Sequence, residues 1–470
     1  KAFKRMDVKK GQEIELTIQA LAYGGKGISR YDNFVIFVDK SIPGQKVLAY
    51  VYKKKKDYAE AKVKEILVES PYFTDPRCMH FSTCGGCKTQ QLSYSEQLNQ
   101  KKSQVQHIFE RQASISDFVI DSIVPANPVY NYRNKMEFTF SSNRWILENE
   151  PANVKSDFAL GMHIPKRWDK ILDIESCHLM PEIGTEIINY VRDVAKKLKL
   201  KPYNQRSHVG FLRYLVFRFG QNTDELMVNL VTAYEDLDLL IPLVTKLAKK
   251  FPHITSIVNN INTRKADVAF GEHEILLHGE PMLKERLKDL TFQISSNSFF
   301  QTNSIMAEKL YDVILDSANL KGDEIALDLY CGTGSISLFL AQKAKFVYGF
   351  DIIVSSIENA EQNAIINKID NVEFKVANLD SYFVNMNSNK LPKPNIIIVD
   401  PPRSGMHEKM TKFLPKLNPD KIIYVSCNPS TQARDSKILQ SNGYDLNKLT
   451  LVDMFPHTPH IETVGVFQKS

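Results

Sequence analysis

The sequence predicts an α/β fold: a doubly wound parallel sheet at the C-terminal end, preceded by a mixed α+β segment and a small N-terminal β-barrel. Three observations predict it. At 470 residues the chain exceeds what one core of about 100–200 residues fills, so about three domains are expected. Between residues 301 and 470, short apolar runs alternate with helix-compatible segments, the pattern of parallel strands joined by crossover helices. Between residues 1 and 67, short segments with partial period-2 alternation are separated by glycine- and proline-containing turns.

In chain order, IELTIQALA, NFVIFVDK, KVLAYVYKK and YAEAKVKEIL read as the strands of residues 1–67. Gly24-Gly25-Lys26-Gly27 and Ser41-Ile42-Pro43-Gly44 divide them. Short strands at this spacing suggest a barrel of the oligonucleotide-binding type. The run Lys53–Lys56 falls at a hairpin turn, where it is either solvated or a phosphate contact. Residues 68–300 open with a cysteine-rich stretch and a polar helix near 93–112. The strand-like pieces MEFTFSS, FALGMHI, FLRYLVFRFG and ELMVNLVTA follow, then DLLIPLVTKLAKKF with helical periodicity. Residues 301–470 supply EIALDLY, KFVYGFD, VEFKVAN, NIIIVD, KIIYVSC and LTLVDMF as nearly continuous apolar strands. SSIENAEQNAIINK and STQARDSKILQ are helices between them.

Composition narrows the class. Hydrophobic residues make up 43% and charged residues 24%, ordinary for a soluble globular protein. No run approaches the ~18 apolar residues of a membrane span. The opening KAFKRMDVKK is basic but no apolar stretch follows it, so it does not read as a signal peptide, and the cytoplasm is the expected location. A net charge of +6 is compatible with a polyanionic partner. Six cysteines are too few for a disulfide scaffold in so long a chain; clustered, they point to metal ligation or catalysis.

In doubly wound sheets ligands bind at the carboxyl ends of the strands. There the sequence places Asp328-Leu329-Tyr330-Cys331-Gly332-Thr333-Gly334-Ser335, with Asp351 ending the next strand. The glycines let the backbone turn tightly and approach a ligand, and a carboxylate at Asp351 suits the two ribose hydroxyls of an adenosine. The third glycine of a dinucleotide fingerprint and the lysine of a phosphate loop are both missing. D-x-x-x-G-x-G followed by an acidic strand end looks like the S-adenosylmethionine pattern instead. Cys331 reads as a small packing residue.

Two further strand ends carry reactive groups. Asp400-Pro401-Pro402-Arg403 closes NIIIVD, and its prolines stiffen a loop that presents Asp400. IIYVSCNPST then brings Cys427 to the mouth of the following strand, and His460-Ile461-Glu462 lies near the end of the chain. A thiol, a carboxylate and a methyl donor suit one reaction. Carbon 5 of uracil is a poor nucleophile, but a thiolate added at carbon 6 makes it electron-rich. Cys427 fits the nucleophile and Glu462 the base that removes the carbon 5 hydrogen. Positive charge, or the N-terminus of a helix starting near Ser430, is expected to lower the thiol pKa.

VDPPRSG, YVSCNPST and PHTPHIETV resemble the motifs of the RNA uracil-5-methyltransferase family, as does SNSFFQTN at 296–303. The likeness spans most of the chain. Residues 1–67 resemble the TRAM RNA-binding domain. The resemblance implies three domains: a TRAM-like barrel at 1–67, a central RNA-binding domain at 68–300 and a Rossmann-like methyltransferase domain at 301–470. It implies cofactor contacts from Gln301, Tyr330, Gly332, Ser335, Asp351, Asn378 and Asp400. Asp351 stands where many relatives have Glu, and Ser335 where some have Asn.

Cys78, Cys84 and Cys87 follow C-x5-C-G-G-C, and Cys177 lies downstream. Thiolates so spaced surround either one zinc or one iron–sulfur cluster. The resemblance to cluster-bearing members of the family implies a 4Fe-4S cluster on these four residues. Its expected role is to fix the 78–87 loop, since methyl transfer needs no electron. Tyr132, Arg133, Lys135, Lys166, Arg167 and Trp168 are candidate RNA contacts nearby.

The expected partner is RNA rather than a membrane, with the chain acting as a monomer. The target uridine is in a loop or flipped from its stack. Resemblance to members with both barrel and cluster favours 23S rRNA, with tRNA second. Three rivals compete: an amino-directed nucleobase methyltransferase that needs neither Cys427 nor Glu462, an RNA-binding scaffold with an inactive methyltransferase fold, and an iron–sulfur redox enzyme.

Overall fold

The computed structural model describes residues 8–470 except 116, 117, 119, 152 and 380–392. Among the described residues four sheets form. The N-terminal one has six strands between Glu13 and Val68. Its first strand, Glu13–Thr17, alternates exposed and buried residues. The buried set joins Ile36, Val38, Val47, Ala49 and Val51 in a small core of its own. The lysine run at 53–56 does fall at a hairpin turn, between Lys46–Lys54 and Tyr58–Val68. Lys53 pairs with Glu60, which also takes Lys26 at 2.5 Å.

Seven strands between Lys135 and Gly279 make the central sheet, covered by the helices Glu182–Lys197 and Leu237–Lys250. Leu212–Phe219 is buried along its whole length, including Arg213 and Arg218. Their charges are met by carbonyls. Arg213 donates to Asn262, Arg264 and Ala266, and Arg218 to Ser296 and Ser298. The second set pins the segment before Gln301. Asn303 then caps the helix Ser304–Ala318 and donates to the Met454 carbonyl at 2.9 Å.

The C-terminal sheet has eight strands in the order Val372–Val376, Phe346–Asp351, Ile325–Leu329, Ile396–Val399, Lys421–Ser426, Glu462–Lys469, Tyr444–Val452 and Ile120–Val124. All run parallel except Glu462–Lys469, which is antiparallel to both neighbours. The last strand in this order is an addition to the expectation. The helix Tyr94–Ile108 and the strand Ile120–Val124, placed by sequence in the central segment, pack on the C-terminal sheet. The helix is tied there by a buried ion pair, Lys101 Nζ to Asp453 Oδ1 at 2.6 Å, with the Tyr94 hydroxyl donating to Oδ2 at 2.9 Å. Removing one member of such a pair costs about 3–5 kcal/mol, because the other charge is left buried alone. The pair therefore anchors the 453–462 segment that leads into Glu462. No described helix is long and apolar enough to cross a membrane.

Candidate active site

The antiparallel strand explains how distant motifs meet. Parallel strands deliver their carboxyl ends to one edge of the sheet, and an antiparallel neighbour delivers its beginning there. Ser426 pairs with Thr463 across the two strands. Cys427, one residue past Ser426, and Glu462, one residue before Thr463, therefore emerge side by side. Asp400 leaves the adjacent strand Ile396–Val399 at the same edge.

The glycine turn lies two strands along. Tyr330, Gly332 and Gly334 all have positive φ, at 67°, 55° and 80°. A side chain at Gly334 would collide with Phe374 at 2.8 Å and Ala360 at 2.9 Å, so this glycine is needed for packing. A side chain at Gly332 would meet nothing within 4 Å; it borders open space. The Gly332 amide donates to Asp351 Oδ2 at 3.0 Å, and the Ile353 amide to Oδ1 at 2.9 Å. Asp351 is thus held rigidly at its strand end, beside the exposed apolar residues Ile352, Ile353 and Val354.

Carboxylates crowd this edge. Asp328 is fully buried; Ser337 donates to its Oδ2 at 2.6 Å, while Oδ1 has no partner. Burial pushes it up to about 7, with Asp400 and Asp351 adding to the rise. Burial likewise raises Asp400 to about 7. Glu462, 5% exposed, is pushed up to about 8 by burial and then by Asp400, with Arg403 opposing. Carboxyl groups held above their usual range, one with an unpaired oxygen, favour a cationic ligand. A sulfonium with an α-ammonium group fits that demand.

Cys427 departs from its expectation. The helix Pro429–Gln440 does start just beyond it, capped by Asn428. The thiol is nevertheless pushed up to about 11, by burial first and then by Glu462 and Asp400; the facing Arg403 lowers it by less. Burial and two acids outweigh one cation.

The remaining predicted residues divide. Gln301 is half-buried, and its carbonyl accepts from Asn134 Nδ2 at 2.9 Å. Asn378 is exposed beyond the strand Val372–Val376. Ser335 is buried, and its hydroxyl is engaged with the Tyr311 phenol. Cys331 packs in the core as expected. Three groups at the edge were not singled out by sequence. Arg403 and Asp328 lie inside the motifs above, which gave them no role. Tyr23, in the N-terminal sheet, feels the charges of Cys427, Arg403 and Glu462, and no local signal marks it.

Cys78, Cys84, Cys87 and Cys177 line one cavity of about 430 Å³, which Arg133, Lys135 and Phe299 also border. Cys87 is pushed up to about 12 by burial and by the facing thiols, Cys177 first. Gly85 lets this loop lie on the strand Ala159–Ile164: its amide donates to the His163 carbonyl at 3.1 Å, where a Cβ would come within 2.6 Å. Among the described residues, no three His, Cys, Asp or Glu side chains converge tightly enough to hold a single metal ion. Of the candidate RNA contacts, Trp168 is exposed. Tyr132 is not available for stacking: it is fully buried and its hydroxyl donates to the Pro456 carbonyl at 3.0 Å.

An open α/β sheet with this glycine turn and acidic strand ends defines an S-adenosylmethionine-dependent methyltransferase. Residues 274–470 match the tRNA (uracil-5-)-methyltransferase family model, and residues 7–64 match the TRAM domain. An RNA methyltransferase of Chlorobaculum tepidum is 39% identical, covering 98% of this chain and 97% of its own. One from Halalkalibacterium halodurans is 36% identical, covering 98% of each. The crystal structure of Pyrococcus abyssi tRNA (uracil-54, C5)-methyltransferase with S-adenosyl-L-homocysteine superposes with a TM-score of 0.75 at 31% identity, covering 96% of this chain and 99% of that one. The chain belongs to the RNA uracil-5-methyltransferase family. It is an S-adenosylmethionine-dependent enzyme of RNA modification with an N-terminal TRAM domain.

Proposed function

We propose that this enzyme methylates carbon 5 of a specific uridine through a covalent Cys427 adduct, with Glu462 as the base. The observation that carries this reading is the emergence of Cys427 and Glu462 side by side at one sheet edge, with Asp400 and Arg403 beside them. Arg403 stabilises the thiolate once the thiol proton has passed to water or a neighbouring carboxylate. Sγ adds to carbon 6, and the C5=C6 electron pair moves toward carbon 5 and the carbonyl at carbon 4. Bound S-adenosylmethionine supplies the electrophilic methyl group that carbon 5 takes. Glu462, as carboxylate, removes the proton from carbon 5; the C5=C6 bond re-forms and Sγ leaves.

Asp351 and the Gly332 turn would hold the adenosine, with Tyr330 and Asn378 alongside and Gln301 and Asp400 toward the methyl-bearing end. The buried Ser335 hydroxyl is already engaged with Tyr311, which leaves it a lesser part. Cys78, Cys84, Cys87 and Cys177 would hold a 4Fe-4S cluster. A zinc needs four sulfurs about 2.3 Å from one point; the four thiols line one cavity of about 430 Å³, which has room for a larger cluster. Its contribution is structural.

The resemblance to family members that carry both the barrel and the cysteine cluster supports 23S rRNA as the substrate. A second reading, tRNA, is favoured by the likeness to the Pyrococcus abyssi enzyme, which is a tRNA methyltransferase. Mapping 5-methyluridine by mass spectrometry in both RNAs from cells lacking this protein decides between them. Loss of the mark from neither RNA would remove the proposed reaction.

A further inference from the structure

The N-terminal sheet reaches the reaction centre. Ala20–Leu21 and Gly27–Tyr31 are joined by a tight turn that carries Tyr23 at its tip. Within it the Gly25 amide donates to Ala22 at 2.9 Å and the Ala22 amide to Lys26 at 2.7 Å, and Gly24 and Gly25 take φ of 102° and 89°. The turn is clamped from two sides. Gln100 accepts from the Leu21 amide at 2.8 Å, and Gln104 donates to the Leu21 carbonyl at 3.0 Å. Gly25 lies on Lys88, whose amide donates to the His457 carbonyl at 2.8 Å. His457 lies in the loop 453–461 that runs to Glu462. Leu21 and Gly25 share a small gap with Thr458 and Pro459 of that loop.

We infer that Tyr23 is a wall of the target-base site: its ring holds the uracil against Cys427, so the TRAM domain takes part in positioning for catalysis. The inference rests on the proposed adduct chemistry. A turn tied so closely to the approach to Glu462 has little freedom to move away, yet the Tyr23 side chain remains 40% exposed. An exposed aromatic face beside a nucleophile suits a flipped base, because stacking on such a face is worth about 1–3 kcal/mol per base. The phenol lies in the fields of Cys427, Arg403 and Glu462; burial first, then Cys427 and Glu462, hold its proton more tightly than usual, with Arg403 opposing. A neutral ring beside the thiol is therefore maintained. A tyrosine serving only as an outer RNA grip would sit away from these groups.

The test compares Tyr23→Ala and Tyr23→Phe with the wild-type full-length protein, on RNA from cells lacking this enzyme and labelled S-adenosylmethionine. Y23A is expected to lower kcat by about 10–100-fold, as misplacement of a reacting group does, with KM for RNA within about threefold and an unchanged thermal midpoint. Y23F, which keeps the ring, is expected to restore kcat to within about threefold of wild type. Wild-type kcat in Y23A, or a change in KM alone, overturns the inference. Adduct formation with 5-fluorouridine RNA separates the two ideas. If the wild type forms none, the Cys427 chemistry fails; if wild type and Y23A form it equally fast, only the role of Tyr23 fails.

Discussion

The Arg403 guanidinium faces the Cys427 thiol, joining the loop after one parallel strand to the mouth of the next. It is the cation that opposes the thiol's rise toward 11, against burial, Glu462 and Asp400. Arg403→Met should therefore slow adduct formation with 5-fluorouridine RNA by about 10–100-fold, one to two pK units of lost thiolate stabilisation, and Arg403→Lys should recover part of it. Peptide-resolved alkylation of Cys427 against pH reports the same change directly, with the R403M curve displaced to higher pH. An undisplaced curve would separate Arg403 from the thiol.

Glu462 gives a prediction with two readouts. With its carboxyl near 8, the free enzyme carries this group mostly protonated at neutral pH, so kcat/KM should rise with pH through about 8. Glu462→Gln keeps the shape and removes the base; a covalent RNA–protein species should then accumulate on denaturing gels with RNA and cofactor present. Stability moves the other way. Between the ordinary value of 4.5 and about 8, the folded protein holds a proton that the unfolded chain releases, so stability falls as pH rises through this window. E462Q should melt above wild type at pH 8–9 and converge with it near pH 4–5. A variant that melts no higher at pH 9 would mean that Glu462 is not buried as found.

The two glycines of the cofactor turn should fail differently. Gly332→Ala points a methyl into open space at a φ of 55°, a strain of about 1–2 kcal/mol, and the methyl occupies the volume proposed for the adenosine. S-adenosylhomocysteine affinity by calorimetry should drop at least about tenfold while the fold survives. Gly334→Ala drives a methyl into Phe374 and Ala360; its effect should appear first as a lowered thermal midpoint, since overpacking costs about 1–3 kcal/mol. Equal ligand affinity in G332A would move the cofactor away from this turn.

Much of this was legible because the reactive residues sit in short contiguous motifs, each at the end of an apolar run. Asp400 and Cys427 needed only the rule that ligands gather at the carboxyl ends of strands, whereas Glu462, at the start of an antiparallel strand, was marked by its motif, and the glycine turn advertised itself. Long-range packing was not legible. Ile120–Val124 pairs with Tyr444–Val452, and a five-residue apolar run carries no mark of which sheet it will join. Tyr23 is an ordinary turn tyrosine until the barrel is docked on residues 88–104 and 457–459. Tyr132 resembles a stacking residue in sequence because burial is a property of neighbours, here brought from Pro456. The thiol's direction was hidden for the same reason: the helix start is local, but the two opposing carboxylates arrive from other strands.

The four cysteines make the last prediction. Their thiols are held up by burial, and at Cys84, Cys87 and Cys177 also by neighbouring thiols, so the quartet needs positive charge to ionise. Protein purified without oxygen should absorb near 400 nm and contain about four irons and four sulfides per chain. Cys87→Ser should lose that absorbance. The loop carrying Cys78, Cys84 and Cys87 lies on the strand Ala159–Ile164 and, through Lys88 and Thr89, on His457, so the same variant should loosen the approach to Glu462. Hydrogen exchange should therefore rise in 78–89 and 457–461 together, while the remote strands Phe346–Asp351 and Val372–Val376 keep their protection. One equivalent of zinc in a colourless wild-type protein would replace the cluster with a single ion; protection unchanged at 457–461 in C87S would disconnect the quartet from the catalytic edge.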